Sequence, residues 1–300
     1  MTDTVHQAPD DARVIAPVTT AARDAGSSPH LIGQLPDIVI EALTAWQNRA
    51  LDAVWPVIYV EELPVRIGAG QAVATTMYVV SGVDCAGAEH VLGLWPAPGA
   101  DESVPFWTRV LGQVTARGVG DVCLVSCDGV AGLADAVGLT WPRAICQTRV
   151  LGLIRTSRQY GPRRSWAAVS AALQPVYTAP DEASAAAALD AFAGRFGQRY
   201  PALVRLWRVH WAALAPFLAL PMGVRHLVYT TPLLDYVDVR LRAVADDQGP
   251  FPSVQAAVEA LYLAVRDVEE ADRPRTVVDI EQRGALRAVG TYFDGRLPTK

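Results

Sequence analysis

The sequence predicts an α/β fold: a mixed sheet flanked by helices and interrupted by a long all-helical stretch. Three observations carry that reading. Residues 53–96 hold three strand-like runs separated by Gly-containing turns, the pattern of a meander. Apolar runs at strand length then alternate with helical spacing up to about residue 148, giving the order β-β-β-α-β-α-β. From about residue 153 to 226 the spacing is helical throughout, with Ala-rich segments such as "DEASAAAALDAFAGRF".

Residues 1–28 mix Ala, Pro, Asp, Thr and Ser without periodicity and read as a mobile tail. Residues 29–52 contain a helical pattern, "LPDIVIEALTAWQNRA", that reads as a remnant without the rest of a domain around it. Residues 53–148 form the first part of the core. Its strands are "PVIYVEEL", "ATTMYVVSGVD", "EHVLGLWPAPG" and the short buried "DVCLVSCDG". Its helices are "DESVPFWTRVLGQVTARGVG", with Asp101 or Ser103 as cap and Gly118 as stop, and "VAGLADAVGLTW". "RAICQTRVLG" reads as one further apolar run. Residues 149–226 are the helical insertion, and 227–300 return to the core. There Thr231 suits an N-cap and Pro232 a first helical position. Asp235, Asp238 and Arg242 then share one helix face, with Asp238 and Arg242 four apart and able to pair.

With 300 residues, 51% of them hydrophobic, the chain can bury a substantial core. The net charge of −5 gives no global signal for nucleic acid. Charge is unevenly spread, however: Arg149 to His210 holds nine arginines against Asp181, Glu182 and Asp190, a local +6. Such a module suits either a nucleic-acid face or an ordinary solvated helix surface. The four cysteines lack zinc spacing and read as thiols of a reducing cytoplasm, Cys123 and Cys127 buried. No targeting segment is recognisable, and the apolar run 209–220 is short for a membrane span. Trp166, Trp207 and Trp211 read as core packing rather than base-stacking platforms, and His210 and His226 as structural.

"PVIYVEELPVRI" (56–67) places Glu61 and Glu62 inside a buried strand. A buried carboxylate needs a partner, a metal or an exposed position. Glu62 is expected on the opposite face from Glu61, solvent-facing or paired with an arginine. Pro64 is expected to end or bend the strand soon after Glu61, because a central strand disfavours proline. Asp128 closes a strand expected beside the first, and Asp235 opens a late helix. Three converging carboxylates can hold two divalent metals about 3.5 to 4 Å apart, the arrangement used in phosphoryl transfer.

The segments "EALTAWQNRALDAVWPVIYVEEL", "VLGLW", "FWTRVLGQVTARGV", "SCDGVAGL", "WPRAICQT", "PVYTAPDEASAAAALDAFAGRFGQRYPALVRLWR" and "RHLVYTTPLLD", in order and spacing, resemble the bacterial mutator-type insertion-sequence transposases. The resemblance runs from about Ser28 to Leu297. It implies a ribonuclease-H-like core split by the helical insertion, with Mg2+ (or Mn2+) held by an Asp, Asp, Glu triad for DNA strand cleavage and transfer. Asp128 matches the second acid, Glu61 the first Asp, and Asp235 the final Glu. Arg242 matches a basic residue seven after the last acid. A Cys-x-x-His pair of the family falls on Arg149 and Gly152 and is missing, and an Asn three after the last acid is Asp238. The family's DNA-binding region before the core has no counterpart in the 28 polar residues at the front.

The resemblance therefore implies a transposase acting on double-stranded DNA at transposon ends in the bacterial cytoplasm, at the nucleoid, as a homo-oligomer or with intact transposase. Arg155, Arg158, Arg163 and Arg164 are the candidate DNA contacts. Swapping Asp for Glu moves a carboxylate roughly 1 to 1.5 Å, and a misplacement on the order of 1 Å can cost about 10²-fold in rate. The swapped acids predict impaired catalysis. The alternative is an inactive descendant that acts by binding DNA or by associating with intact transposase.

Overall fold

The computed structural model describes residues 35–68, 72–98, 103–148, 150–160, 166–229, 232–248, 250–270 and 280–298. The residues read as a mobile tail lie outside these, as do Asp101, Arg149 and Thr231.

Helix α1 (Leu35–Gln47) leads into three antiparallel strands, β1 (Val54–Ile67), β2 (Val73–Val83) and β3 (Glu89–Pro96). Helix α2 (Ser103–Ala116) returns the chain to β4 (Asp121–Cys127), and α3 (Leu133–Thr140) to β5 (Ile145–Thr148). The sheet order is β3-β2-β1-β4-β5, with β4 parallel to β1 and β5 parallel to β4. A meander followed by two parallel strands across helical crossovers is the mixed sheet read from the sequence. The apolar run 143–152 divides, however. β5 ends at Thr148, and helix α4 (Val150–Tyr160) begins two residues later.

Helices α5 (Trp166–Tyr177), α6 (Glu182–Phe196), α7 (Pro201–Val209), α8 (Trp211–Ala219) and α9 (Met222–Tyr229) follow. Asp181 caps α6, its Oδ1 accepting from Ser184 N at 2.8 Å. Trp207 is fully buried and donates from Nε1 to Ser157 Oγ at 2.9 Å, tying α7 to α4. Trp166 packs partly buried against the same core, and Trp211 donates to Glu182. All three tryptophans thus serve packing. His210 has a structural contact as read, Nδ1 to Leu206 O at 2.9 Å, while the side chain of His226 lies outside the described residues.

Arg225 is the polar knot of this module. Its guanidinium donates to the carbonyls of Leu220 (2.7 Å), Ala179 (2.5 Å), Pro180 (3.0 Å) and Leu218, and lies over the Phe217 ring. Four carbonyls, two from the α5–α6 loop and two from the end of α8, make its burial tolerable.

Three helices complete the chain: α10 (Pro232–Asp247), α11 (Val254–Glu270) and α12 (Ile280–Tyr292). One sheet face packs on α2 and α3 through Ile58, Val60, Leu92, Trp107, Val125 and Leu133. The other packs on α1, α10 and α11 through Leu63, Val65, Leu94, Leu241 and Leu261, and on the helical module and α12 through Val57, Tyr59 and Leu124. Arg296, after α12, clamps the start of β4: Nη2 donates to Asp121 Oδ1 at 2.6 Å and Nε to Oδ2 at 3.0 Å.

Two expectations change. Helix α1 is an integral part of the core rather than an isolated remnant. Val39, Ala42, Leu43 and Trp46 are buried in the cluster of α11, with Trp46 and Tyr262 rings 5.3 Å apart. Pro64 does not end β1, which continues paired to β2 through Ile67. The pairing of β1 with β4 stops at Val60, so beyond it one edge of β1 faces no strand. Glu62 O, Arg66 O and Gly68 N all direct their bonds to non-strand partners, Arg242 and Phe251. By alternation Pro64 N points the same way, and its missing N–H costs no ladder bond.

Candidate active site

The site is built where β1 and β4 run side by side. Val60 and Cys127 are paired in parallel register and face α2 and α3, so the next residues, Glu61 and Asp128, fall side by side on the opposite face. Glu61 is 8% exposed, and Asp128 lies half-buried at the carboxyl end of β4. Helix α10 crosses this end of β1, carrying Asp235, Asp238 and Arg242. The side chain of Asp235 lies outside the described residues.

Arg242 joins the two elements. Its guanidinium pairs with Asp238 at 2.8 Å, the i, i+4 pair expected from spacing, and Nη2 donates to Glu62 O at 3.4 Å. The Asp238 hydrogen bond holds its pKa above the ordinary arginine value, and the charges of Asp238, Glu61 and Asp128 add to that. Arg242 therefore sits in the field of both described site acids.

Glu62 points to the other face, as expected, exposed and opposite Tyr78. Its pKa is raised, first by burial and then by the Asp128 carboxylate. Asp128 thus acts on charges on both sides of β1.

Gly152 marks the far wall. It is the third residue of α4, and a Cβ built there would lie 2.6 Å from Asp128 Oδ1 and 2.8 Å from Cγ. The Asp128 carboxylate rests against bare helix backbone. Side-chain bulk at this position requires either the acid or the helix to move.

Sequence reasoning missed the floor of the site. Two residues before the acids, Tyr59 and Ser126 are paired, and Ser81 and Gln147 extend the row across four strands. Ser81 Oγ, Ser126 Oγ and both amide atoms of Gln147 are buried without a hydrogen-bond partner. The available signal was the single hydroxyl in "CLVSC" and the amide in "AICQT". The four cysteines are thiols outside any disulfide, Cys123 and Cys127 buried, Cys85 and Cys146 partly so. Cys127 Sγ donates to Gln147 O at 3.8 Å, and the neighbouring Cys146 thiol lowers the Cys127 pKa.

Carboxylates on neighbouring strands form an all-oxygen donor set suited to a hard divalent cation. Among the described residues no group of three or more His, Cys, Asp or Glu side chains is placed to hold one. Glu61 and Asp128 are two of the three carboxylates assigned from sequence, and the third is Asp235. Of the candidate DNA contacts, Arg158 is exposed on α4, while Arg163, Arg164 and the side chain of Arg155 lie outside the described residues.

Strand order 3-2-1-4-5, a first antiparallel meander, an acid in β1 just past its pairing with β4 and an acid at the end of β4 define a ribonuclease-H-like core with a helical insertion. The family model of the mutator-family transposases matches residues 12–272, and the chain belongs to that family. It is 40% identical over 254 residues to a probable insertion-sequence transposase of Corynebacterium diphtheriae, covering 84% of this chain and 73% of that protein. It is 35% identical over 271 residues to the ISRM3 transposase of Rhizobium meliloti, covering 89% and 67%. It is 26% identical over 230 residues to the IS1081 transposase of Mycobacterium tuberculosis, covering 75% and 54%. Among the described residues, no helix is long and apolar enough to cross a membrane.

Proposed function

We propose that the chain is the transposase of an insertion element, acting in the bacterial cytoplasm by metal-dependent cleavage and transfer of DNA strands. The observation that supports this best is the in-register emergence of Glu61 and Asp128 beneath α10. Glu61, Asp128 and Asp235 are the ligands of this reading, with Mg2+ or Mn2+ as the metal. Bound there, the metal would act as a Lewis acid on the scissile phosphate and its attacking oxygen. The chain's own contribution is placement. β1 and β4 fix two carboxylates, and α10 brings the third. Arg242, anchored by Asp238, offers a cation to the phosphate at the rim. Arg155, Arg158, Arg163 and Arg164 hold the flanking duplex, and the protein works as a homo-oligomer on paired ends.

A second reading has specific support. Glu61 is one methylene longer than the aspartate of the family pattern, and Arg242 already neutralises part of the acid field. In that reading the chain binds DNA or associates with intact transposase without cleaving. The two are separated by incubating purified protein with labelled duplexes in Mg2+ or Mn2+. Nicking that depends on metal and is lost in Asp128→Ala supports the enzyme. Binding without nicking supports the second reading.

A further inference from the structure

Outside the carboxylate site, charge is most segregated at the turn between α6 and α7. No Asp or Glu occurs from position 191 to 234, in a chain with 31 such residues. Within that stretch Arg195, Arg199, Arg205 and Arg208 are all exposed. The nearest acid, Asp190, pairs with Arg208 at 3.3 Å, but both side chains are well exposed and such a pair is weak.

Two of these arginines, Arg205 and Arg208, line a concavity. A groove of about 710 Å3 lies between the end of α6 and one face of α7. Pro201, Val204, Arg205, Arg208 and Val209 follow the i, i+3, i+4, i+7, i+8 spacing of a single helix face, and all line the groove. That face would ordinarily be covered, yet Val209 is 71% exposed. Arg195 and Arg199, in the same turn of the chain, stack over Phe196 at 5.1 Å and over Tyr200 at 5.6 Å. Phe192, Phe196 and Tyr200 in turn form a stacked row. The arginines are thus mounted on a rigid aromatic spine, which lowers the entropy lost when they bind.

We infer that the α6–α7 groove binds the sugar-phosphate backbone of duplex DNA, with Arg205 and Arg208 each neutralising a phosphate. The inference rests on the transposase reading and adds Arg205 and Arg208 to the candidate contacts Arg155, Arg158, Arg163 and Arg164. Two exposed cations in the groove and two more in the same acid-free segment, against one weakly paired acid, complement a polyanion. Backbone contact carries no sequence preference, so this groove sets register and affinity rather than end recognition.

The test is fluorescence anisotropy of the full chain with a labelled random duplex between 50 and 200 mM salt. Each phosphate contact contributes about −0.9 to the slope of log K against log salt, so Arg205→Ala/Arg208→Ala should flatten the slope by about 1.8. Affinity at the lower salt should fall about tenfold or more. Asp190→Ala, which frees Arg208, should tighten binding. Both sets of side chains are exposed, so an unchanged circular dichroism spectrum verifies folding. Wild-type binding with an unchanged slope in the double variant overturns the groove and leaves the DNA reading standing. No binding by the wild-type chain overturns both.

Discussion

Gly152→Ala adds one methyl group and no charge, at a position where a Cβ would lie 2.6 Å from Asp128 Oδ1. An ordinary contact there is about 3.4 Å, so the carboxylate or the helix must retreat by roughly 0.8 Å. Alanine also improves helix propensity by up to about 1 kcal/mol over glycine, which offsets part of the steric cost. The thermal midpoint should therefore change by only a few degrees, while a ligand displaced by that distance no longer meets octahedral Mg2+ geometry at about 2.0 to 2.1 Å. Isothermal titration with Mg2+ and Mn2+ should show at least a tenfold loss of affinity, and nicking should fall about 10²-fold if the chain is active. The decisive comparison is with Asp128→Ala. In that background Gly152→Ala should cost nothing further, because the two changes act through one carboxylate. Full metal affinity in Gly152→Ala, or additive losses in the double variant, would refute the claim that Gly152 sets the position of Asp128.

Other outcomes follow from the packing. Arg296→Ala should cost about 2 kcal/mol in urea unfolding, the scale of a charge-assisted hydrogen-bonded pair. Arg296 lowers the Asp121 pKa, so that stabilisation is full above the usual aspartate value of 3.8 and is lost as pH falls through the lower folded value. The difference between wild type and variant should accordingly shrink below about pH 4. Arg225→Ala should destabilise by about 3 to 5 kcal/mol, since it strands four carbonyls in a buried knot. Trp46→Ala should cost about 3 to 5 kcal/mol, as for a large side chain in a packed core, and a near-neutral result would return α1 to the status of a loose appendage.

Much of the architecture was legible because its signals are local. The short β-branched apolar runs "PVIYVEEL" and "ATTMYVVSGVD", and Gly118 with its φ of 120° at the end of α2, specify elements without reference to neighbours. The i, i+4 spacing of Asp238 and Arg242 likewise gave their ion pair. What was illegible depends on tertiary partners. Pro64 is read as a strand breaker only if β1 is central along its whole length, and the point where β4 stops is a fact of register. The burial of α1 depends on α11, more than 200 residues later. Gly152 looked like a missing histidine, and only the approach of α4 to Asp128 shows that its lack of a side chain is what the neighbouring acid requires. The polar row of Ser81, Ser126 and Gln147 lies on three strands, bridged by Tyr59 on a fourth, and pairing alone aligns it.

The claim on which the rest depends is that Glu61, Asp128 and Asp235 share a divalent cation. It is tested most directly by Mn2+ titration of the wild-type chain and of Glu61→Gln, Asp128→Asn and Asp235→Asn, read by calorimetry. The account predicts saturable binding that each single change weakens at least tenfold, with the folded state retained. Absence of binding in the wild type, or binding indifferent to all three changes, would contradict it.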